Sequence, residues 1–85
     1  MEIVFTFQAE KDFERIKQHP VLLKKVVALL DLVEMNPFTT PPRYEKLIGV
    51  KNVYSRRINQ QHRFIYEFIE ASKTIKILRL WTHYE

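Results

Sequence analysis

The sequence contains no cysteine and only one glycine among its 85 residues. The lack of cysteine excludes disulfide bonds, thiolate catalysis and zinc sites with sulfur ligands, and it fits a reducing compartment. No apolar run approaches the roughly 20 residues that a membrane-spanning helix needs. The first residues, Met1 to Gln8, lack the basic start and the small-residue cleavage site of a signal peptide. We therefore expect a cytoplasmic protein without a membrane anchor.

The residues that are present are typical of one small globular domain. Hydrophobic residues make up 46% of the chain, its formal net charge is +4, and no repeat, low-complexity segment or linker interrupts it. A chain of this length can build one core, so we expect a single domain over residues 1–85. The positive charge favours a polyanionic partner, of which nucleic acid is the most common, but charge alone does not identify it.

The hydrophobic pattern predicts two helices followed by several strands. A β-branched and aromatic run over residues 3–7 predicts a first strand, and helical spacing then predicts a short helix that ends before Pro20 and a longer one from about Val21. A proline-rich loop over residues 36–42 ends the second helix. The period then changes to two and predicts strands over residues 53–58, 63–69 and 74–81. The expected fold class is α+β, in the order β-α-α-β-β-β, with a helical hairpin on one face of a mostly antiparallel sheet.

Cleavage of RNA without a metal ion needs three kinds of group. A base takes the proton of the 2′-hydroxyl, cations stabilise charge on the phosphoryl oxygens, and an acid protonates the leaving 5′-oxygen. Residues of these kinds are predicted near the open face of the sheet: Glu45, Arg57, Arg63 and the C-terminal pair His83 and Tyr84. The widely separated histidines and the lack of an H-E-x-x-H motif argue against a metal site.

Each candidate also has a structural interpretation. Glu45 could be a solvated charge near a strand edge, and Arg63 could be a surface ion-pair partner. His83 could be an idle surface residue. Arg56 and Arg57 cannot share one face of a strand, because successive side chains point in opposite directions, so we expect at most one of them to serve the site. The residues alone lead to a candidate site and do not decide between cleavage and binding.

Two neighbouring segments carry a family resemblance. Ser55-Arg56-Arg57-Ile58, a short polar step and then His62-Arg63-Phe64-Ile65-Tyr66 resemble the hallmark of the YoeB (Txe) toxins of the RelE superfamily. The likeness extends to Asn-Pro-Phe after the helical hairpin, Glu-x-Leu at residues 45–47 and His-Tyr near the C-terminus. It implies a microbial-RNase-like sheet packed on helices. It also implies a type II toxin that cleaves messenger RNA in the ribosomal A site and so inhibits translation.

The resemblance implies a role for each candidate residue. Glu45 matches the general base, Arg63 the arginine that stabilises the scissile phosphate, and His83 the general acid. Arg57 matches a second phosphate-contacting arginine, and Tyr84 matches the aromatic residue that helps to place the RNA. No metal or other cofactor is expected.

The sequence departs from the family pattern at a few positions. The family commonly has lysine directly after Glu-x-Leu, whereas Ile48 stands here, so Lys46 or Lys51 is expected to supply the cationic contact. Arg56 is a further basic candidate for RNA binding. Near the C-terminus, Trp81-Thr82 replaces the usual arginine and aromatic residue, and Glu85 follows the terminal tyrosine. We expect altered base stacking and a modest effect on activity.

The resemblance also implies partners. We expect a YefM-type antitoxin, acidic and partly disordered, that wraps the basic surface. The ribosome and messenger RNA are the other expected partners, promoter DNA is expected only through the antitoxin complex, and a homodimer is compatible with so small a core. Two alternatives stay open. One is a non-catalytic module of the same fold that binds RNA, the ribosome or an antitoxin, and the other is a housekeeping RNA-binding domain.

Overall fold

The computed structural model describes residues 1–81. Within them, strand β1 covers Glu2–Phe5, helix α1 covers Phe7–Ile16 and helix α2 covers Pro20–Met35. Strands β2 to β5 follow at Tyr44–Lys46, Val53–Arg57, Arg63–Ile69 and Thr74–Arg79, and a short 3-10 helix covers Glu70–Ser72. The sheet has the order β1-β5-β4-β3-β2. Strand β1 is parallel to β5 and the other neighbours are antiparallel, which confirms the predicted α+β class.

The helices begin at signals carried by the local sequence. Thr6 Oγ1 accepts a hydrogen bond of 3.0 Å from the Ala9 amide, which satisfies one of the unpaired donors at the start of α1. Pro20 opens α2, where its missing amide hydrogen costs nothing. The two helices bury Ala9, Ile16, Val26, Leu29 and Val33 in one core with the strand residues Phe64, Tyr66, Ile75 and Ile77. The helices therefore cover one face of the sheet and leave the other open.

The structure contains one strand that the sequence pattern did not predict. Strand β2 has three residues and pairs with β3 at the edge of the sheet, so the order is β-α-α-β-β-β-β. Three residues carry too little alternation for a period of two to be recognised. The strand is important for the site because Glu45 is its central residue. No helix in the described part of the chain is long and apolar enough to cross a membrane.

Candidate active site

Strands β2, β3 and β4 place three of the predicted residues in one cleft. Glu45 lies opposite Ser55, and Arg57 lies opposite Arg63. Directly opposed residues share a face of the sheet, as do residues two apart on one strand. A cleft of about 260 Å³ is lined by Pro42, Arg43, Glu45, Ser55, Arg57 and Arg63. The structure thus brings Glu45, Arg57 and Arg63 together on the face away from the helices.

The cleft carries an excess of positive charge. Its lining includes three arginines and one glutamate, a formal charge of +2. The ion pairs found within residues 1–81 are Lys17–Glu14 and Arg79–Asp12, so Glu45 is not paired with an arginine of the cleft. Arg57 on β3 and Arg63 on β4 lie directly opposite each other on neighbouring strands. Like charges directly opposite each other on neighbouring strands are destabilising, and an anion bound between them would remove that repulsion.

The turn before β4 orients the Arg63 side chain. Its Nη1 donates to the carbonyl oxygens of Asn59 at 3.0 Å and His62 at 3.2 Å, with a longer contact of 3.4 Å to that of Gln60. Asn59 Oδ1 in turn accepts from the amides of Gln61 and His62, which closes the turn. Arg63 Nε and Nη2 donate no hydrogen bond to the described residues. They are available to a phosphate oxygen while Nη1 fixes the direction of the side chain.

Arg56 lies on the opposite face of β3 and is only 1% exposed. Its Nη1 and Nη2 donate to the carbonyl oxygens of Pro42 and Pro37, and its Nε donates to Tyr66 Oη at 3.1 Å. Tyr66 Oη donates to the Pro37 carbonyl at 2.7 Å, and burial raises the pKa of this hydroxyl despite the Arg56 contact. This placement does not support the expectation that Arg56 binds RNA. Instead, Arg56 holds the proline-rich loop that leads to Glu45.

The two lysine candidates do not line the cleft. Lys46 lies opposite Tyr54, so it leaves β2 on the other side from its neighbour Glu45. Lys51 lies in the exposed loop between β2 and β3. Both line a separate shallow surface formed by residues 46–51. These lysines could therefore contact RNA only beyond the cleft. The other two predicted site residues, His83 and Tyr84, lie outside the described residues.

Three residues that line the cleft, Pro42, Arg43 and Ser55, were not predicted as site residues from the sequence. Ser55 could have been found, because it is two residues before Arg57 on the same strand and so shares its face. Arg43 follows the prolines and precedes the unpredicted strand β2, where no periodic pattern marks it. Among residues 1–81, no group of three or more His, Cys, Asp or Glu side chains is placed to hold a metal ion.

A comparison with protein families shows which family the chain belongs to. A model of the YoeB-like toxins of bacterial type II toxin-antitoxin systems matches residues 5–84. The chain belongs to this family. The resemblance inferred from the sequence is therefore confirmed, and the protein is a toxin of the YoeB family. In this YoeB-like toxin, the S-R-R-I segment provides most of β3 and the H-R segment opens β4. A comparison with curated proteins gave no match.

Solved structures show the same fold. The YoeB/ParE toxin from Agrobacterium tumefaciens has a TM-score of 0.90 and 26% identity, and the match covers 99% of this chain and 100% of that one. A chain from the YoeB-YefM complex of Staphylococcus aureus has a TM-score of 0.84 and 32% identity, with 99% and 98% covered. The Escherichia coli DinJ-YafQ complex, at 20% identity, 0.82 TM-score and 96% and 92% coverage, supports the fold alone.

Proposed function

We propose that this YoeB-like toxin is a ribosome-dependent messenger-RNA endoribonuclease that works by metal-free acid–base catalysis. The observation that carries the proposal is the cleft, in which Glu45 lies beside two facing arginines and forms no ion pair within residues 1–81. A carboxylate can accept a proton, and the two guanidinium groups can hold a phosphate. Each is a group that cleavage through the 2′-hydroxyl requires.

In the proposed reaction, Glu45 takes the proton of the 2′-hydroxyl while the 2′-oxygen forms a bond to phosphorus. Arg57 and Arg63 stabilise the charge that builds on the phosphoryl oxygens. His83 gives a proton to the 5′-oxygen as the bond between it and phosphorus breaks. The products are a 2′,3′-cyclic phosphate and a 5′-hydroxyl end. DNA is not a substrate because it has no 2′-hydroxyl.

The spacing of the strands suits this division of roles. Residues directly opposed on antiparallel strands have Cβ atoms about 4.5–5.5 Å apart, and diagonal neighbours lie about 7–8 Å apart. Arg57 and Arg63 are an opposed pair, and Glu45 is diagonal to Arg57 because it faces Ser55. Two long cationic side chains can therefore hold one phosphate while the shorter carboxylate reaches the neighbouring ribose.

RNA contacts outside the cleft are part of the same proposal. Tyr84 would place a base beside the cut, and Lys46 and Lys51 would contact the RNA backbone beyond the cleft. The exposed positions of both lysines support that role. Arg56 is left out of the proposal because its guanidinium group is buried.

We also propose a YefM-type antitoxin as the partner of this toxin and a homodimer as one of its states. The Staphylococcus aureus YoeB structures that resemble it include a YoeB-YefM complex and a YoeB dimer. The cleft charge of +2 would attract an acidic antitoxin segment. Promoter DNA would be bound only by the toxin–antitoxin complex.

Primer extension on ribosomes that carry a defined message tests the activity. The purified toxin should cut at the A-site codon, and Glu45→Ala and His83→Ala should each abolish the cuts. Glu70→Ala is the matched control, since it removes an exposed carboxylate of the 3-10 helix and should cut normally. An intact message with the toxin still bound to the ribosome would overturn the cleavage proposal in favour of a non-catalytic binding module.

A further inference from the structure

Asp12 is a buried carboxylate that the proposed reaction does not use. It is 2% exposed, and its Oδ2 accepts hydrogen bonds from Arg79 Nε at 2.9 Å, from the Leu80 amide at 2.9 Å and from the Trp81 amide at 3.1 Å. Its Oδ1 accepts from Gln8 Nε2 at 3.0 Å. A buried charge is tolerated only when it is well paired and hydrogen-bonded, and Asp12 meets that condition.

These contacts keep Asp12 ionised. Burial alone would raise the pKa of this carboxyl, but the hydrogen bonds from the Leu80 amide, Arg79, Gln8 and the Trp81 amide outweigh that effect and lower the pKa below its usual range. The carboxylate is therefore a charged acceptor at neutral pH. Because α1 carries it, the last described residues are tied to the helical layer as well as to the sheet.

The anchor acts at the point where the chain leaves the sheet. Strand β5 ends at Arg79, and the next two amides both donate to the same oxygen of Asp12. Arg79 Nη2 also donates to the Trp81 carbonyl at 2.8 Å, so the Asp12–Arg79 pair holds both backbone groups of Trp81.

The Trp81 side chain is held as well. Its ring lies 4.2 Å from the Arg15 guanidinium carbon and 4.2 Å from the His62 ring, measured to ring centroids. In the sequence, His83 follows Trp81 by two residues. The segment that carries the proposed general acid therefore follows directly after a residue whose backbone is fixed.

We propose that Asp12 is a positioning residue for the general acid. By holding the amides of Leu80 and Trp81, it sets where the segment that carries His83 leaves the sheet. The inference rests on the proposed function, since it acts through His83. A general acid must reach hydrogen-bond distance of the leaving oxygen, and a misplacement of about 1 Å can lower a rate by roughly 100-fold.

A change of leaving group separates positioning of the acid from a general structural role. When sulfur replaces the 5′-oxygen at the cut site of the message, the leaving thiolate needs no proton, because a thiol is a much stronger acid than an alcohol. Loss of the general acid should then be largely compensated. Loss of the base Glu45 should not be.

Asp12→Ala is therefore expected to slow cleavage of the ordinary message by roughly 10- to 100-fold. On the sulfur-containing message, both Asp12→Ala and His83→Ala should recover most of the cleavage rate that they lose on the ordinary message. In the His83→Ala background, Asp12→Ala should add little on either message. Asp12→Asn keeps an oxygen that can accept from the amides, so its defect should be smaller. Glu14→Ala is the control, because it removes an exposed carboxylate of the same helix whose ion pair within residues 1–81 is with Lys17.

Circular dichroism of each variant shows whether it is folded. If Asp12→Ala does not fold, Arg79→Met provides the second route, because it removes the contact to the Trp81 carbonyl from a partly exposed position. Its defect should also be recovered on the sulfur-containing message.

The outcomes distinguish failure of the proposed general acid from failure of the positioning role of Asp12. In one outcome, the sulfur-containing message restores cleavage by His83→Ala but not by the folded Asp12 or Arg79 variant. That outcome overturns only the positioning role. If His83→Ala cuts the ordinary message at the normal rate, the proposed acid and the role of Asp12 are both overturned.

Discussion

Replacement of Arg56 by methionine is expected to reduce stability, whereas replacement of its neighbour Arg57 is expected to reduce activity. Arg56→Met should lower the free energy of unfolding by about 2–4 kcal/mol, because it removes three hydrogen bonds from a charged donor, two buried and one partly buried. Each is worth about 1.5–3 kcal/mol before the cost of burying the charge is subtracted. The Pro42 carbonyl and Tyr66 Oη lose their donor, whereas the Pro37 carbonyl keeps its bond from Tyr66.

This loss is large for so small a protein. A domain of 85 residues is typically stable by roughly 4–13 kcal/mol, so the substitution removes a substantial share of the total. Methionine fills much of the space of the arginine stem, so the effect reports the lost hydrogen bonds more than a cavity. Urea unfolding followed by tryptophan fluorescence measures it, since Trp81 is the one tryptophan in the sequence.

Arg57→Met is the matched control on the next residue. Arg57 is exposed, and its guanidinium group makes no hydrogen bond or ion pair with the described residues. Its loss should change the free energy of unfolding by less than about 0.5 kcal/mol, with a slight gain where repulsion from Arg63 is relieved, while cleavage of ribosome-bound message is lost. Equal urea midpoints for Arg56→Met and the unmodified protein, or a larger destabilisation by Arg57→Met, would refute the assignment of the two side chains.

Two further substitutions test the buried polar groups. Tyr66→Phe removes the donor to the Pro37 carbonyl and an acceptor for Arg56, so it should destabilise the protein by about 1–3 kcal/mol in urea melts, and an unchanged midpoint would argue against the contact. Asp12 has a lowered pKa in the folded state, so its ionised form contributes stability that is complete above the ordinary value of 3.8 and is lost as the pH falls through the lowered value. The difference in stability between the unmodified protein and Asp12→Asn should therefore narrow below about pH 4, and a constant difference from pH 2 to 7 would contradict this.

Much of the fold follows from local patterns. Helical spacing, the residue before Pro20 and the period of two after the proline-rich loop were enough to predict both helices and strands β3 to β5. Strand β2 was missed because its pairing with β3 depends on a loop that Arg56 fixes from the next strand. A contact of that kind has no local signature.

The candidate site was predicted only in part, because local patterns place some of its residues and long-range contacts place the others. Alternation along β3 allowed only one of Arg56 and Arg57 to face the cleft, and in the structure Arg57 lines the cleft whereas Arg56 is buried. Asp12 could not have been assigned a role, because its partners Arg79, Leu80 and Trp81 lie 67 to 69 residues further along the chain. In the sequence alone it is one more charged residue of an amphipathic helix.

The side-by-side arrangement of Arg56 and Arg57 makes the toxin sensitive to a shift in the register of β3. If β3 moved by one residue against β4, each side chain would change face. The buried arginine would enter the cleft, and the arginine of the cleft would be forced under the helices without carbonyl partners. A single deletion in the turn between Ile58 and His62 should therefore abolish folding and toxicity together, so the hairpin is expected to tolerate substitutions in that turn far better than changes in its length.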